Sequence, residues 1–189
     1  TDKWMLGTRN SFFVGIVATL LATALGTVAA LGLSRPHMPF KAVLMAILIS
    51  PMIVPLIITA AGMFFFYSKI GLTHTYLGLI LAHTALGTPF VVITVTATLT
   101  GFDTNLIRAS QSLGADTMRT FFKVIMPLIL PGVISGGLFA FITSFDEVVI
   151  VMFIGSVEQI TIPKQMWAGL RQETSPVILC MATCLVALS

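Results

Sequence analysis

Charged side chains are scarce in this sequence, and their scarcity narrows the class of protein. Asp, Glu, Lys and Arg together make up 9% of the 189 residues, whereas hydrophobic residues make up 57%. An average soluble domain is about 25% charged. The composition therefore excludes an ordinary soluble domain and predicts an integral membrane protein. The net charge of +3 gives no indication of nucleic-acid binding.

Cysteine is also rare, and its placement predicts neither a disulfide nor a metal site. Cys180 and Cys184 lie one helical turn apart in an apolar run, where the geometry for a disulfide is poor. We interpret them as small packing residues. His83 lies alone in another apolar run, with no second His or carboxylate at metal-ligand spacing. We therefore expect it to hydrogen-bond within a helix bundle.

Catalytic motifs are missing too. The sequence has no G-x-x-x-x-G-K-[ST] phosphate loop, no nucleophile elbow and no H-E-x-x-H pair. Neither ATP hydrolysis nor another catalytic activity is predicted, and no cofactor is expected in this chain. The acidic pair Asp146 and Glu147 is poorly suited to catalysis, because adjacent residues on a helix point about 100° apart.

Long apolar runs are what the sequence has in abundance. They cover residues 10–34, 42–68, 76–100 and 128–154, and a fifth run begins near residue 176 and is cut short. A helix of about 20 apolar residues crosses a bilayer. We therefore predict an all-α, polytopic transmembrane helical bundle with four full spans and one truncated span.

Prolines and acids inside these runs are candidates for function. Pro51 and Pro55 each remove a backbone donor, so the second run is expected to kink or break, either beside a translocation path or as a packing feature. Asp146 and Glu147 lie roughly 20 Å along the fourth run, at or past the bilayer middle. Ionisable groups at that depth mark a functional site, unless they already reach the far interface.

The one long polar interruption, residues 103–131, predicts two short helices with a glycine turn between them. Asp103 or Thr104 is placed to cap the first helix, because a short side-chain oxygen accepts from the free N–H groups of a helix start. Gly114 is placed to end that helix, since glycine tolerates the left-handed conformation. Asp116 is placed to cap the second helix.

The spacing in this loop resembles the cytoplasmic coupling loop of permease subunits of ATP-binding-cassette importers. That family has Glu-Ala-Ala, three residues, Gly, nine residues and Ile-x-Leu-Pro. Here the corresponding residues are Arg108-Ala109-Ser110, then Gly114, then Val124-Ile125-Met126-Pro127. Arg108 and Ser110 depart from the pattern, so the contacts of the usual acid do not carry over to Arg108.

The resemblance implies a fold, partners and a location. The fold would be that of a type I importer permease, one transmembrane domain over residues 1–189 that lacks the family's first membrane helix and the end of the last. The partners would be a cytoplasmic ATP-binding-cassette ATPase that binds the ATP, a second permease subunit, a periplasmic solute-binding protein and the lipid of a bacterial inner membrane. The coupling loop would occupy residues 101–127, with its contacts at Arg108, Ala109, Ser110, Leu113, Gly114, Ala115 and Pro127.

A second local resemblance concerns the solute. Ser144-Phe145-Asp146-Glu147 and residues 162–167 are similar to the branch that imports spermidine and putrescine, for which a heterodimeric permease is implied. Two carboxylates in a low-dielectric path favour an organic dication over an oxyanion. We expect these four residues to line the solute path. Importers of ferric iron, sulfate, phosphonate or opine stay open as alternatives, as does an ion-coupled secondary transporter or channel.

Charge alone does not orient the bundle. Alternating spans place five cations on each side, namely Arg35, Lys41, Arg108, Arg119 and Lys123 on one and Lys3, Arg9, Lys69, Lys164 and Arg171 on the other. The positive-inside rule therefore gives a tie. The coupling-loop resemblance places the first set in the cytoplasm and the acid pair toward the periplasm. Residues 155–175 are expected to include a short interfacial helix with Trp167 at headgroup level.

Overall fold

The computed structural model describes residues 2–35, 37–103, 105–172 and 176–188, and within these ranges the chain is helical with no strand. The helices are α1 (Asp2–Leu33), α2 (Lys41–Ile53), α3 (Leu56–Ile70), α4 (Tyr76–Thr100), α5 (Asn105–Ser112), α6 (Thr117–Thr120), α7 (Met126–Phe145), α8 (Val149–Ile154), α9 (Ile162–Gln172) and α10 (Pro176–Leu188). A π-helical segment, Phe121–Ile125, joins α6 to α7 without a break. The all-α prediction is confirmed for this part of the chain.

The centre of the bundle is formed by α1, α4 and α7, which pack against one another. They meet where their side chains are smallest. A Cβ added to Gly87 of α4 would lie 2.9 Å from the Ala140 Cβ of α7 and 3.3 Å from the Ala22 Cβ of α1. Small residues permit this approach, which matters because membrane helices associate through close packing rather than the hydrophobic effect.

Three helices of the described chain are long and apolar enough to cross a membrane: Asp2–Leu33, Tyr76–Thr100 and Thr117–Phe145, the last running from α6 through α7. The pair α2 and α3 passes the same test as a unit but is bent by 104°, which gives up to four spans. The bend falls at Pro55, which has no N–H to continue the helix. The predicted break is therefore confirmed at Pro55, whereas Pro51 lies inside α2.

The fourth apolar run is not one helix, and this corrects the sequence prediction. α7 ends at Phe145 and α8 begins at Val149, so the chain leaves the helix at residues 146–148. The cause is local, since the Glu147 Oε1 atom accepts from the Ile150 N–H at 2.9 Å and starts a new helix. The fifth run forms α10, whose 13 residues are fewer than the roughly 20 that a span needs. A fifth span is not confirmed.

The outer surface of the bundle carries many exposed apolar side chains. They include Leu20 and Leu25 of α1, Phe65 of α3, and Ile134 and Leu138 of α7. Monomeric soluble proteins rarely expose large apolar patches. This surface is suited to lipid and to other membrane subunits.

Candidate coupling loop and solute path

The polar loop folds as the sequence predicts at its two helix starts. The Asp103 Oδ1 atom accepts from the Asn105 N–H at 2.9 Å, and the Asp116 Oδ1 atom accepts from the Arg119 N–H at 2.7 Å. Each carboxylate satisfies a backbone donor that has no partner within its helix. Asp103 therefore caps α5 and Asp116 caps α6. Thr104, the alternative cap of α5, lies outside the described residues.

Gly114 ends α5 in the left-handed conformation, with φ of 83°. The Ala115 N–H donates to the Ser110 carbonyl at 3.1 Å, and the Gly114 N–H donates to the Gln111 carbonyl at 2.9 Å. This pair of bonds is the Schellman motif, in which a residue with positive φ lets the chain fold back over the last helical turn. The predicted glycine turn is confirmed.

A hydrogen bond that the sequence did not predict joins the two loop helices. The Ser110 and Thr120 hydroxyl oxygens lie 2.9 Å apart, and Thr120 is buried. Ser110 is the position where the family pattern has alanine, which has no side-chain donor. The serine at this position therefore links α5 directly to α6.

The predicted coupling residues lie on an exposed surface. Arg108, Ala109 and Gly114 are exposed, and the Leu113 side chain is 88% exposed. The apolar side chains of Met118 and Phe122, which the sequence did not single out, are exposed nearby in the chain. An exposed apolar residue at the tip of a firmly capped turn is suited to a socket on another protein.

Pro127 lies where the loop passes into the membrane helix. It has no N–H to donate to the carbonyl four residues earlier. The helix widens directly before it into the π-helical segment, where the Met126 N–H donates to the Phe121 carbonyl. The helix thus continues past the proline instead of ending there.

The loop closes over one end of the bundle. A cavity of about 400 Å³ separates it from the ends of α1 and α4, and its lining includes Arg35, Leu99, Gln111 and Phe121. At the opposite end, Arg9, Asn10, Phe13 and Tyr76 line a second cavity. Arg35 and the loop therefore share one end, and Arg9 lies at the other, as alternating spans require.

Three of the four expected solute-path residues, Ser144, Phe145 and Glu147, are buried. The Ser144 Oγ atom lies 2.7 Å from the Nδ1 atom of His83, which is 1% exposed. The Phe145 ring packs against the rings of Phe12 and Phe141, with centroids 5.1 and 5.3 Å away. The expected hydrogen-bonding role of His83 is confirmed. Ser144 and Phe145 contact helices of this chain.

The helix break separates the two acids. Asp146 is exposed, whereas Glu147 is 7% exposed and its carboxylate caps α8. The sequence did not predict this division, because it treated both as part of one helix. Within the described ranges, no three His, Cys, Asp or Glu side chains come together as a possible metal site.

A short helix follows where the sequence predicts an interfacial one. α9 spans Ile162–Gln172, and Trp167 is exposed on it. Lys164 of this helix is half-buried, and its Nζ atom donates to backbone carbonyls at the end of α8. In the sequence, Lys164 is one of five cations assigned to one side of the membrane and part of the resemblance at residues 162–167, and nothing in its neighbourhood indicates that α8 ends beside it.

Comparison with known proteins identifies the family. Residues 22–189 match the family described as binding-protein-dependent transport system inner membrane component. The chain is 30% identical over 188 residues to the spermidine/putrescine transport system permease protein PotC of Haemophilus influenzae. The alignment covers 100% of this chain and 73% of that protein. It is 28% identical to the putrescine transport system permease protein PotI of Escherichia coli, over 96% of this chain and 67% of that protein.

A solved structure shares the fold. A chain of the MetNI methionine ABC transporter, crystallised in inward-facing conformations, superimposes with a TM-score of 0.78 at 20% identity. The match covers 98% of this chain and 88% of the other. Together these matches show that the chain belongs to the family of binding-protein-dependent transport system inner membrane components and is a multi-pass permease subunit of an ABC importer.

Proposed function

We propose that this subunit forms part of the path through which an ATP-driven importer carries a polyamine such as putrescine or spermidine. The observation that carries the proposal is the helix break before α8, which leaves the Asp146 carboxylate exposed on the half of the bundle opposite the loop. An anionic group there attracts an organic cation and repels an oxyanion. The names of the PotC and PotI relatives agree with this solute class.

The loop at residues 101–127 is the proposed contact with a cytoplasmic ATPase. Its support is geometric: two capped helices held together by Ser110 and Thr120 present Leu113 and Arg108 to the outside. ATP would bind to the ATPase, whose closure would push this rigid unit and switch the membrane helices between inward-facing and outward-facing states. A second, related permease subunit would complete the path, and a periplasmic binding protein would deliver the solute.

Uptake into membrane vesicles tests the proposal. The full-length subunit, its partner permease and the ATPase are placed in right-side-out vesicles, with ATP inside and the binding protein outside. Labelled putrescine, spermidine, sulfate and ferric iron are compared. We expect ATP-dependent accumulation of a polyamine. Accumulation of sulfate or iron instead would contradict the proposed solute, and uptake independent of ATP would favour a secondary transporter or channel.

Neutralising the acids tests their role in that path. The double variant Asp146→Asn, Glu147→Gln keeps the size of both side chains, and the new amide oxygen still accepts from Ile150. A carboxylate about 4 Å from an ammonium is worth roughly 4 kcal/mol at an effective dielectric constant near 20, so we expect polyamine uptake to fall about tenfold or more. Glu158→Gln, at another exposed acid on the same side, is the control and should transport normally. Undiminished uptake by the double variant would contradict the role of the acids.

A further inference from the structure

Asn10 of α1 holds a segment that lies far from it in the chain. Its Nδ2 atom donates to the Glu158 carbonyl at 2.7 Å and to the Ile160 carbonyl at 2.9 Å, and the side chain is 1% exposed. Both amide hydrogens are therefore used on one stretch of backbone. A buried amide with both donors satisfied fixes the separation between the two chain segments that it joins.

Two more side chains attach the same segment. The Tyr76 hydroxyl, at the start of α4, lies 3.0 Å from the Glu158 carbonyl and 3.1 Å from the Asn10 Oδ1 atom. One residue beyond Asn10, the Ser11 hydroxyl oxygen accepts from the Ile162 N–H at 2.9 Å. The segment that leads into α9 is thus attached to α1 and α4 by amide and hydroxyl groups. We call Asn10, Ser11 and Tyr76 the outer clasp.

Lys164 extends this attachment to α8. Its Nζ atom lies 3.1 Å from the Val151 carbonyl, 3.1 Å from the Gly155 carbonyl and 3.3 Å from the Ser156 carbonyl. Burial lowers the pKa of the Lys164 ammonium from its ordinary value, whereas the three carbonyl oxygens favour its charged form. A cation at the C-terminal carbonyls of a helix also complements the helix dipole.

The short helix α8 therefore has a charged cap at each end, Glu147 at its start and Lys164 at its finish. Six residues are too few to form a stable helix alone. The chain on its N-terminal side is the break at residues 146–148, which gives α8 no rigid continuation of α7. The position of α8, and of the acids directly before it, must therefore be set by its packing, by the His74 N–H, which donates to the Ile154 carbonyl at 2.8 Å, and by its attachment through Lys164.

We propose that Asn10, Tyr76 and Lys164 are positioning residues for transport, which hold α8 and the acid pair in one place relative to α1 and α4. This inference rests on the proposed function, because it assigns to the acids a contact with the solute. When the attachment is loosened, α8 samples several positions and only a fraction of them bind solute. The apparent affinity falls in proportion to that fraction, while the later steps of transport keep their rate.

The test pairs each variant with a matched control. Tyr76→Phe removes one hydroxyl, and Tyr67→Phe removes the hydroxyl of a buried tyrosine on α3 that makes no hydrogen bond to a described residue. Lys164→Met removes the ammonium, and Lys69→Met does so at an exposed lysine on the same side. Lys164→Arg keeps a cation with several donors and should restore transport.

The complete transporter is measured in vesicles, with the KM and the maximal rate determined separately. We expect Tyr76→Phe and Lys164→Met to raise the KM for the transported solute about three- to tenfold, the effect of losing one or two hydrogen bonds, with little change in maximal rate. The controls and Lys164→Arg should keep the KM of the unchanged transporter. A fall in maximal rate with unchanged KM would show a merely structural role and overturn the proposal.

Amide hydrogen exchange on the purified complex decides the question independently of the solute. Residues 149–162 should exchange faster in Tyr76→Phe and Lys164→Met than in the two controls. Unchanged exchange would overturn the outer clasp whatever solute is carried, and faster exchange with unchanged KM would overturn its positioning role. Failure of the unchanged transporter to take up any polyamine would instead contradict the proposed function, and the KM comparison would then use the solute that is transported.

Discussion

Gly114 has a backbone conformation that shapes the turn of the proposed coupling loop. Its φ of 83° lies in the left-handed region, where a residue with a Cβ costs about 1–2 kcal/mol. We expect Gly114→Ala to weaken the native turn about tenfold and to reduce co-purification of the ATPase by a similar factor, with normal amounts of the subunit in the membrane.

Two other glycines serve as controls, which distinguish the effect of backbone strain from the loss of the surface that binds the ATPase. An added Cβ meets nothing within 4 Å at Gly114, Gly71 or Gly101, so sterics are equal at the three positions. Gly71 also has positive φ, 72°, but lies at the end of α3, whereas Gly101 has a φ of −88°. Gly71→Ala and Gly101→Ala should both keep ATPase binding. Equal loss in Gly114→Ala and Gly71→Ala would contradict a specific role of the loop.

The hydrogen bond between the Ser110 and Thr120 hydroxyls leads to a second prediction about individual residues. Ser110→Ala and Thr120→Val each break the hydroxyl–hydroxyl bond between α5 and α6, which should cost about 0.5–1.5 kcal/mol of the loop's stability. The double variant should cost little more than either single one, because the bond is already lost. Melting temperatures of the purified transporter test this, and additive losses would show that the two hydroxyls act separately.

At the scale of helices, α4 and α7 approach each other closely enough to require glycine. A Cβ on Gly136 would be 2.7 Å from the Val91 Cα, and one on Gly132 would be 2.9 Å from the Thr94 carbonyl oxygen. Backbone atoms cannot move aside as a flexible side chain can. We expect Gly136→Ala to destabilise the bundle by about 1–3 kcal/mol through overpacking.

Gly62 of α3 supplies the control for that substitution. Nothing lies within 4 Å of a Cβ added there, so Gly62→Ala should be neutral or slightly stabilising, because alanine is the better helix former. The fraction of folded subunit after extraction in detergent measures both variants. Equal behaviour of Gly136→Ala and Gly62→Ala would contradict the close packing of α4 and α7.

The buried pair of His83 and Ser144 joins the same two helices by a polar bond. Removing one partner leaves the other buried without it, which costs about 1–3 kcal/mol, whereas removing both is cheaper. We expect His83→Leu and Ser144→Ala each to lower the melting temperature, and the double variant to lose less than their sum. Ser135→Ala, at an exposed serine of α7, should have no effect. A double variant that loses the full sum would mean that the two groups do not interact.

The sequence predicts elements well where a local signal sets their ends. α4 has the predicted bounds, because Thr75 caps it with a side-chain oxygen and a polar loop follows it. Asp103, Gly114 and Asp116 act within three residues of their own positions, so their roles could be read directly. The break after α7 could not, since hydrophobicity continues through it and only the capping geometry of Glu147 shows the new helix start.

The contacts of the outer clasp could not be predicted from the sequence, for a different reason. Asn10 and the carbonyl of Glu158 are 148 residues apart in the chain, and the acceptor is backbone, which every residue type provides. No pattern of side chains could therefore have revealed the contact. For the expected solute path, the sequence indicates four residues but not that Ser144, Phe145 and Glu147 are buried while Asp146 is exposed.

At the scale of the whole molecule, the arrangement predicts sidedness. Cys180 and Cys184 are exposed thiols, so they are first changed to alanine, and one cysteine is then introduced at Ser68 or at Ser112, both exposed. A membrane-impermeant maleimide should label Ser68→Cys from outside intact cells, and Ser112→Cys only after the membrane is opened. Labelling of both from the same side would contradict the alternation of spans.

The chemistry of the two ends of the molecule has a consequence for the conditions it tolerates. At the loop end, the carboxylates of Asp103 and Asp116 cap the two short helices. At the opposite end, Asn10, Ser11 and Tyr76 hold the segment that leads into α9 through amide and hydroxyl groups, whose hydrogen bonds are not screened by dissolved ions as ion pairs are. The outer clasp should therefore keep its hold on α1 and α4 when the salt concentration changes, whereas the contacts of Lys164 with α8 involve a charged group.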